Sequence, residues 1–167
     1  MIVHGIIGNE STHPIDGLER DVLEMEWFEA TKRIQRRISK GGTDIAIRFM
    51  REGDRLHEGD IVYQDEQKAI IVHVKPCEAI VMTPSSLLEM GTICYEIGNK
   101  HLPLFIQEDK IMMPFEQPMF RWLEASGYHP EKRIVQLLNL LKSNVAPHGH
   151  GSTSLFTKII NLASSND

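Results

Sequence analysis

Apolar and polar residues alternate in short runs over the first half of the chain. Residues 2–8, IVHGIIG, are apolar and β-branched and read as a strand. Residues 34–39, IQRRIS, and 44–49, DIAIRF, flank Lys40-Gly41-Gly42-Thr43, a spacing that predicts a hairpin. Residues 60–64, DIVYQ, and 69–74, AIIVHV, flank Asp65-Glu66-Gln67-Lys68 and predict a second one. Regular short strands with glycine-bearing turns point to a small antiparallel β-domain. Pro76 breaks the pattern and marks a boundary, with a β-rich domain over 1–75 and a second domain over 76–144.

Beyond Pro76 the period changes. Residues 77–83, CEAIVMT, read as a strand, and 84–99, PSSLLEMGTICYEIGN, as a helix with Leu87, Met90, Cys94 and Ile97 on one apolar face. Pro84 and a capping box from Ser86 to Glu89 mark its start. Residues 102–107, LPLFIQ, and 110–115, KIMMPF, predict a hairpin that turns at Glu108-Asp109. A second helix runs from Pro118 to a stop at Gly127. The segment 131–144 supports two readings. Ile134, Leu137, Leu138 and Leu141 have helical spacing, whereas a strand over 132–138 would complete a ferredoxin-like βαββαβ unit. Residues 145–167, rich in Gly, Ser and small polar residues, predict a flexible tail in which 155–160, LFTKII, docks or forms a short helix. The expected class is α+β: an N-terminal antiparallel β-domain, a ferredoxin-like βαββαβ domain and a flexible, histidine-containing C-terminal tail.

Composition narrows the partners. With 41% hydrophobic and 25% charged residues, 167 residues are enough for a packed core. No apolar run approaches the roughly 20 residues that span a bilayer, and no basic, apolar leader opens the sequence, so neither membrane nor secretion is expected. A net charge of −5 disfavours nucleic acid. An RNA-binding ferredoxin-like module would also want aromatic residues on its central strands, and 77–83 has none. Cys77 and Cys94 form no CxxC pair and read as buried, reduced thiols of a cytoplasmic protein.

Candidate chemistry rests on histidine. Of eight histidines, His4, His13, His57 and His129 read as ordinary structural or solvated side chains, and His73 as a partly exposed strand residue. His148-Gly149-His150 puts two imidazoles on a pliable tail that can reach a metal held elsewhere; the alternative is a pair of solvated tail residues. His101 follows Gly98-Asn99-Lys100 at a helix end. Positive φ at Gly98 or Asn99 would turn the chain sharply and aim the ring off the core. The alternative is a surface histidine favoured by the helix dipole. Motifs for a nucleophilic serine, a zinc protease or a phosphate loop are absent. The pairs Glu24/Glu26 and Asp65/Glu66 read as solvated faces, and no carboxylate is spaced as a general base for His101. No enzyme is expected.

The stretch 96–101, EIGNKH, resembles the signature of the UreE urease accessory family of nickel metallochaperones, in which Gly-Asn-Arg/Lys-His follows a helix ending in Glu-Ile. The likeness extends through 24–37, EMEWFEATKRIQRR, 43–49, TDIAIRF, 56–63, LHEGDIVY, and 89–101, EMGTICYEIGNKH, and covers roughly residues 1 to 140. The resemblance implies a β-domain that binds peptide or partner protein and a ferredoxin-like metal domain. It implies a homodimer in which His101 from each subunit meets its mate on the two-fold axis, with His148 and His150 as added ligands from the tail. The implied function is that of a cytoplasmic chaperone carrying Ni(II), or alternatively Zn(II), for nickel insertion into urease. The implied partners are an accessory GTPase and the apo-urease complex, and whether the dimer pairs into a tetramer when loaded stays open. Lys100 stands at the Arg/Lys position, and the tail lacks the long histidine run of some members, which argues against high-capacity storage. The competing reading is a peptide-binding scaffold with incidental Zn(II) or Ni(II) binding.

Overall fold

A computed structural model describes residues 1–51 and 54–141. The tail expected over 145–167, with His148 and His150, lies outside the described residues, as do 142–144. Backbone contacts divide the chain into two compact units, Met1–Pro76 and Cys77–Asp167.

The first unit is built from two small sheets. One has the order β1 (Ile2–Val3), β5 (Asp44–Arg48), β4 (Ile34–Ile38). The other has the order β2 (Gly8–Asn9), β6 (Asp60–Gln64), β7 (Lys68–Val74), β3 (Glu19–Met25). Both expected hairpins form, β4 with β5 and β6 with β7, each antiparallel. Gly42, at φ 85, supplies the left-handed residue that the first turn needs. Two pairings are parallel, β1 with β5 and β3 with β7, so the domain is mixed where antiparallel pairing alone was expected. The segment 2–8 is not one strand: it breaks at His4-Gly5 and feeds β1 and β2 into different sheets. Leu23, Met25, Ile45, Ile47, Ile70 and Val72 are among the residues that close the core. A smaller cluster of Ile61, Ala69 and Ile71 packs under Ile15 and Leu18.

Strand β3 carries a buried charge where an apolar residue would be ordinary. Asp21, Leu23 and Met25 are its buried positions. The Asp21 carboxylate accepts hydrogen bonds from Ser39 Oγ at 2.5 Å, Gly41 N–H at 2.7 Å and Val22 N–H at 2.8 Å. Ser39 Oγ in turn accepts from Thr43 N–H at 3.0 Å. The aspartate therefore ties the β4–β5 turn to the other sheet. A side chain at Gly41 has no room, since a Cβ there would sit 2.8 Å from Asp21 Oδ2.

The second unit follows βαββαβ order: β8 (Cys77–Met82), α1 (Leu87–Asn99), β9 (Phe105–Gln107), β10 (Lys110–Pro114), α2 (Gln117–Ala125), β11 (Glu131–Val135). The sheet runs β11-β8-β10-β9, so the fourth strand lies beside the first and the third separates first from second. That is the ferredoxin-like arrangement, and the α+β class holds. Of the two readings of 131–144, the strand is the one observed over 131–135. The chain then crosses to the far edge of the sheet, where Ile106 N–H bonds to Asn139 O and Leu141 N–H to Leu104 O. The helical spacing of Ile134, Leu137, Leu138 and Leu141 is coincidental, with Leu137 buried while Ile134 and Leu141 face solvent. Ile80, Met82, Ile111 and Met113 from the sheet pack against Ile93 and Ile97 of α1 and Met119 and Leu123 of α2.

Replacing Asp21 by Ala should cost about 2 kcal/mol, because it strands buried donors on the turn. Urea unfolding of the variant measures this. Burial pushes the Asp21 carboxyl up, but the bonds from Ser39, Gly41 and Val22, with the charge of Lys68, outweigh it and leave the group below its ordinary value. Its contribution is thus complete above the unfolded value near 3.9 and is lost as pH falls through the lower folded value. Stability of the wild type should drop over that acid range more steeply than that of Asp21→Ala.

Candidate metal centre

His101 owes its position to the way α1 starts, packs and stops. Ser86 caps the first turn: its side chain accepts from Glu89 N–H at 3.1 Å. Glu89 folds back onto Ser85, accepting from its N–H at 2.6 Å and its hydroxyl at 2.5 Å. The capping box expected from the sequence forms, with the return bond shifted by one residue. Ile93 and Ile97 bury the inner face, with Met90 and Cys94 beside them. Leu87, expected on that face, is 90% exposed, because Ile93 lies nearer the centre of the apolar stripe. Neither thiol is in a disulfide, both are only part-buried, and burial pushes that of Cys94 up from its ordinary pKa.

The stop differs from the one expected. Gly98 and Asn99 both remain helical, and Lys100 is the C-cap at φ −87. The left-handed residue is His101 itself, at φ 55. Its N–H bonds to Gly98 O at 2.9 Å. At the end of α2 the same role falls to Gly127, at φ 83, with Gly127 N–H on Glu124 O and Tyr128 N–H on Leu123 O. One helix ends on glycine and its neighbour ends on histidine. An L-residue there carries a local strain of about 1 kcal/mol. The ring is exposed while Leu102, Pro103 and Leu104 directly after it are buried. Lys100 Nζ sits 4.2 Å from the centroid of the Trp122 ring, so a cation–π contact pins the end of α1 to α2.

The exposed side of α1 is unusual for a helix of this size. Leu87, Leu88 and Tyr95 are 90%, 81% and 72% exposed. Gly91 and Gly98 lie on the same side, and a Cβ at either would meet nothing within 4 Å. Neither glycine has positive φ, so the backbone of the helix itself does not require them. Each costs about 1 kcal/mol of helix stability relative to Ala. Sequence reading passed over this face, although two glycines seven residues apart inside a helix were the visible signal.

Of the other described histidines, His73 and His57 are held in local pairs. His73 Nδ1 lies 2.9 Å from Glu58 Oε1, and His57 Nε2 accepts from Arg55 Nε at 2.9 Å. A cavity of about 280 Å³ in the first unit is lined by Arg20, Glu10, Lys40, Glu24, Glu58 and His73. Its charges are matched in pairs, Arg20 with Glu10, Lys40 with Glu24 and His73 with Glu58. Among the described residues no three His, Cys, Asp or Glu side chains converge on one point as a metal site. Nor is any described helix long and apolar enough to cross a membrane. Among the described residues, His101 is thus an exposed imidazole on a firm base that belongs to no three-ligand group.

Because residue 101 is left-handed, His101→Gly should be more stable than His101→Ala by about 1 kcal/mol. Urea unfolding of the two variants side by side makes the comparison.

Residues 3–75 match the family described as UreE urease accessory protein, N-terminal domain, and residues 77–150 match UreE urease accessory protein, C-terminal domain. A urease accessory protein UreE of Flavobacterium johnsoniae is 56% identical over 164 residues, covering 98% of this chain and 99% of the relative. UreE of Actinobacillus pleuropneumoniae is 39% identical, over 89% of this chain and 81% of its own length. UreE of Acetivibrio thermocellus is 36% identical, over 90% and 97%. The chain belongs to the UreE family of urease accessory proteins.

Proposed function

We propose that this protein is a nickel metallochaperone of urease maturation, an accessory protein rather than an enzyme. In this reading it binds Ni(II) through His101 at a homodimer interface, with help from His148 and His150 of the tail. The observation that carries the reading is the placement of His101. It is exposed, held by a left-handed turn, and set at the end of a helix side that the protomer leaves bare. One imidazole is too few to hold a metal ion, and a two-fold axis doubles it without further sequence. The bare side of α1 supports that pairing. Gly91 and Gly98 permit close backbone approach, and Leu87, Leu88 and Tyr95 supply apolar area.

Ni(II) accepts imidazole nitrogen and leaves positions for water or oxygen ligands. A pair of His101 rings, completed by tail histidines, gives moderate affinity and ready release, unlike a closed four-cysteine zinc site. Such a site also admits Zn(II). Residues 1–75 would form the partner-binding domain, 76–144 the metal domain, and 145–167 the tail that brings His148 and His150. The recipients in this reading are a urease accessory GTPase and the apo-urease complex, and the setting is the cytoplasm.

Calorimetric Ni(II) titration of His101→Ala should lose the tightest binding event; its survival unchanged would remove His101 from the ligand set. Substituting His148 and His150 together should weaken binding roughly tenfold or change the stoichiometry while the dimer persists. Binding needs neutral imidazole, so affinity should be weaker in acid than in mildly basic solution. Titrations at pH 8 and pH 5.5 compare the two states. Leu88→Glu, a change at an exposed position of the protomer, should split the dimer in light scattering without unfolding the chain. Light scattering during Ni(II) titration also reports whether dimers pair into tetramers.

A further inference from the structure

Strand β4 is turned inside out. Ile34 and Ile38 are 71% and 70% exposed, while the alternate positions Gln35 and Arg37 point toward the protein. Gln35 Nε2 donates to Glu29 O at 2.9 Å, and Arg37 pairs with the Glu29 carboxylate. The outward face of the sheet carries Ile34, Arg36 and Ile38 on β4, Arg48, Ala46 and Asp44 opposite them on β5, and the exposed Ile2 on β1.

β4 is also the edge of its sheet. Phe49 N–H bonds to Arg33 O and Ser39 N–H to Thr43 O, so the odd-numbered residues face β5. By antiparallel alternation, Ile34, Arg36 and Ile38 direct their N–H and C=O groups away from the sheet. Among the described residues, no other backbone segment bonds to them. The segment 32–40, KRIQRRISK, holds five Lys/Arg and no acidic residue, in a chain of net charge −5. Three of those cations are paired, Arg36 with Asp44, Arg37 with Glu29 and Lys40 with Glu24. Arg33 and Arg48 flank Ile34 with no ion pair among the described residues.

We propose that the outer edge of β4 docks an extended, acidic strand of a partner protein, which adds to the β1-β5-β4 sheet and covers Ile34 and Ile38. The free backbone groups supply the ladder, the two isoleucines the side-chain contacts, and Arg33 and Arg48 the preference for acid. A purely protective edge would point charge outward and keep isoleucine in. A second copy of this chain is a poor occupant, because β4 against β4 sets arginines against arginines. The proposal deepens the partner-binding reading of residues 1–75 and is independent of the metal reading, so Ni(II) titration is scored separately from it.

The test is amide hydrogen exchange on the full chain, with a synthetic eight-residue peptide of alternating glutamate and valine as the probe. Exchange at the Ile34, Arg36 and Ile38 amides should slow about tenfold. The effect should vanish for the double variant Ile34→Asp, Ile38→Asp, with circular dichroism confirming its fold. Should that variant not fold, the same peptide N-methylated at alternate residues serves instead, and it should give no protection on the wild type. Equal protection by a lysine–valine peptide, by an oligonucleotide or by a peptide of residues 151–167 would overturn the proposal, as would protection confined to other strands.

Discussion

The packing of Ile93 and Ile97 against the β11-β8-β10-β9 sheet decides what the rest of the second unit can do. Both are essentially inaccessible to solvent and meet Ile80, Met82, Ile111 and Met113 from the strands. A helix has one circumference, so spending this stripe on the core leaves Leu87, Leu88, Gly91, Tyr95 and Gly98 on the other side. The same packing holds the helix end in place, and the Lys100–Trp122 contact fixes it to α2. His101 then has little freedom in where it starts, only in where its ring points. The metal reading depends on this anchoring: a ligand on a loose loop would need ordering at each binding event, which costs free energy.

Much of the architecture was readable from residue patterns because the relevant interactions are local. Both β-hairpins of the first unit, the Ser86 cap, the start of α2 at its proline and the Gly127 stop each depend on a few adjacent residues. Strand β3 was missed for a tertiary reason. Its inward positions are Asp21, Leu23 and Met25, and a charge in that series hides the alternation unless Ser39 and Gly41 are known to be waiting for it. The parallel partners of β1 and β3 lie more than forty residues away in the chain, and no local rule finds them. For the segment after residue 131, helical spacing and completion of the sheet supported two readings, and the place beside β8 decides for the strand.

The site was legible to a similar extent. His101 stood out because of the helix-stop residues before it, yet the stop itself was placed two or three residues too early. Gly98 looked like the pivot, whereas the backbone turns at the histidine. The outward isoleucines of β4 were not legible at all. Alternation sets the period of a strand and leaves its phase open, and here the phase is set by Glu29, which draws Gln35 and Arg37 inward.

The left-handed backbone at His101 also bears on how the protein behaves under mutation. Folding and the proposed metal ligation favour different residues at that position: glycine relaxes the chain, and imidazole is the group proposed to grip the ion. A library sorted on cellular abundance would rank glycine there as an improvement, while one sorted on urease output would discard it. Where two such rankings diverge at a single residue, the disagreement itself marks a position maintained for chemistry against the preference of the fold.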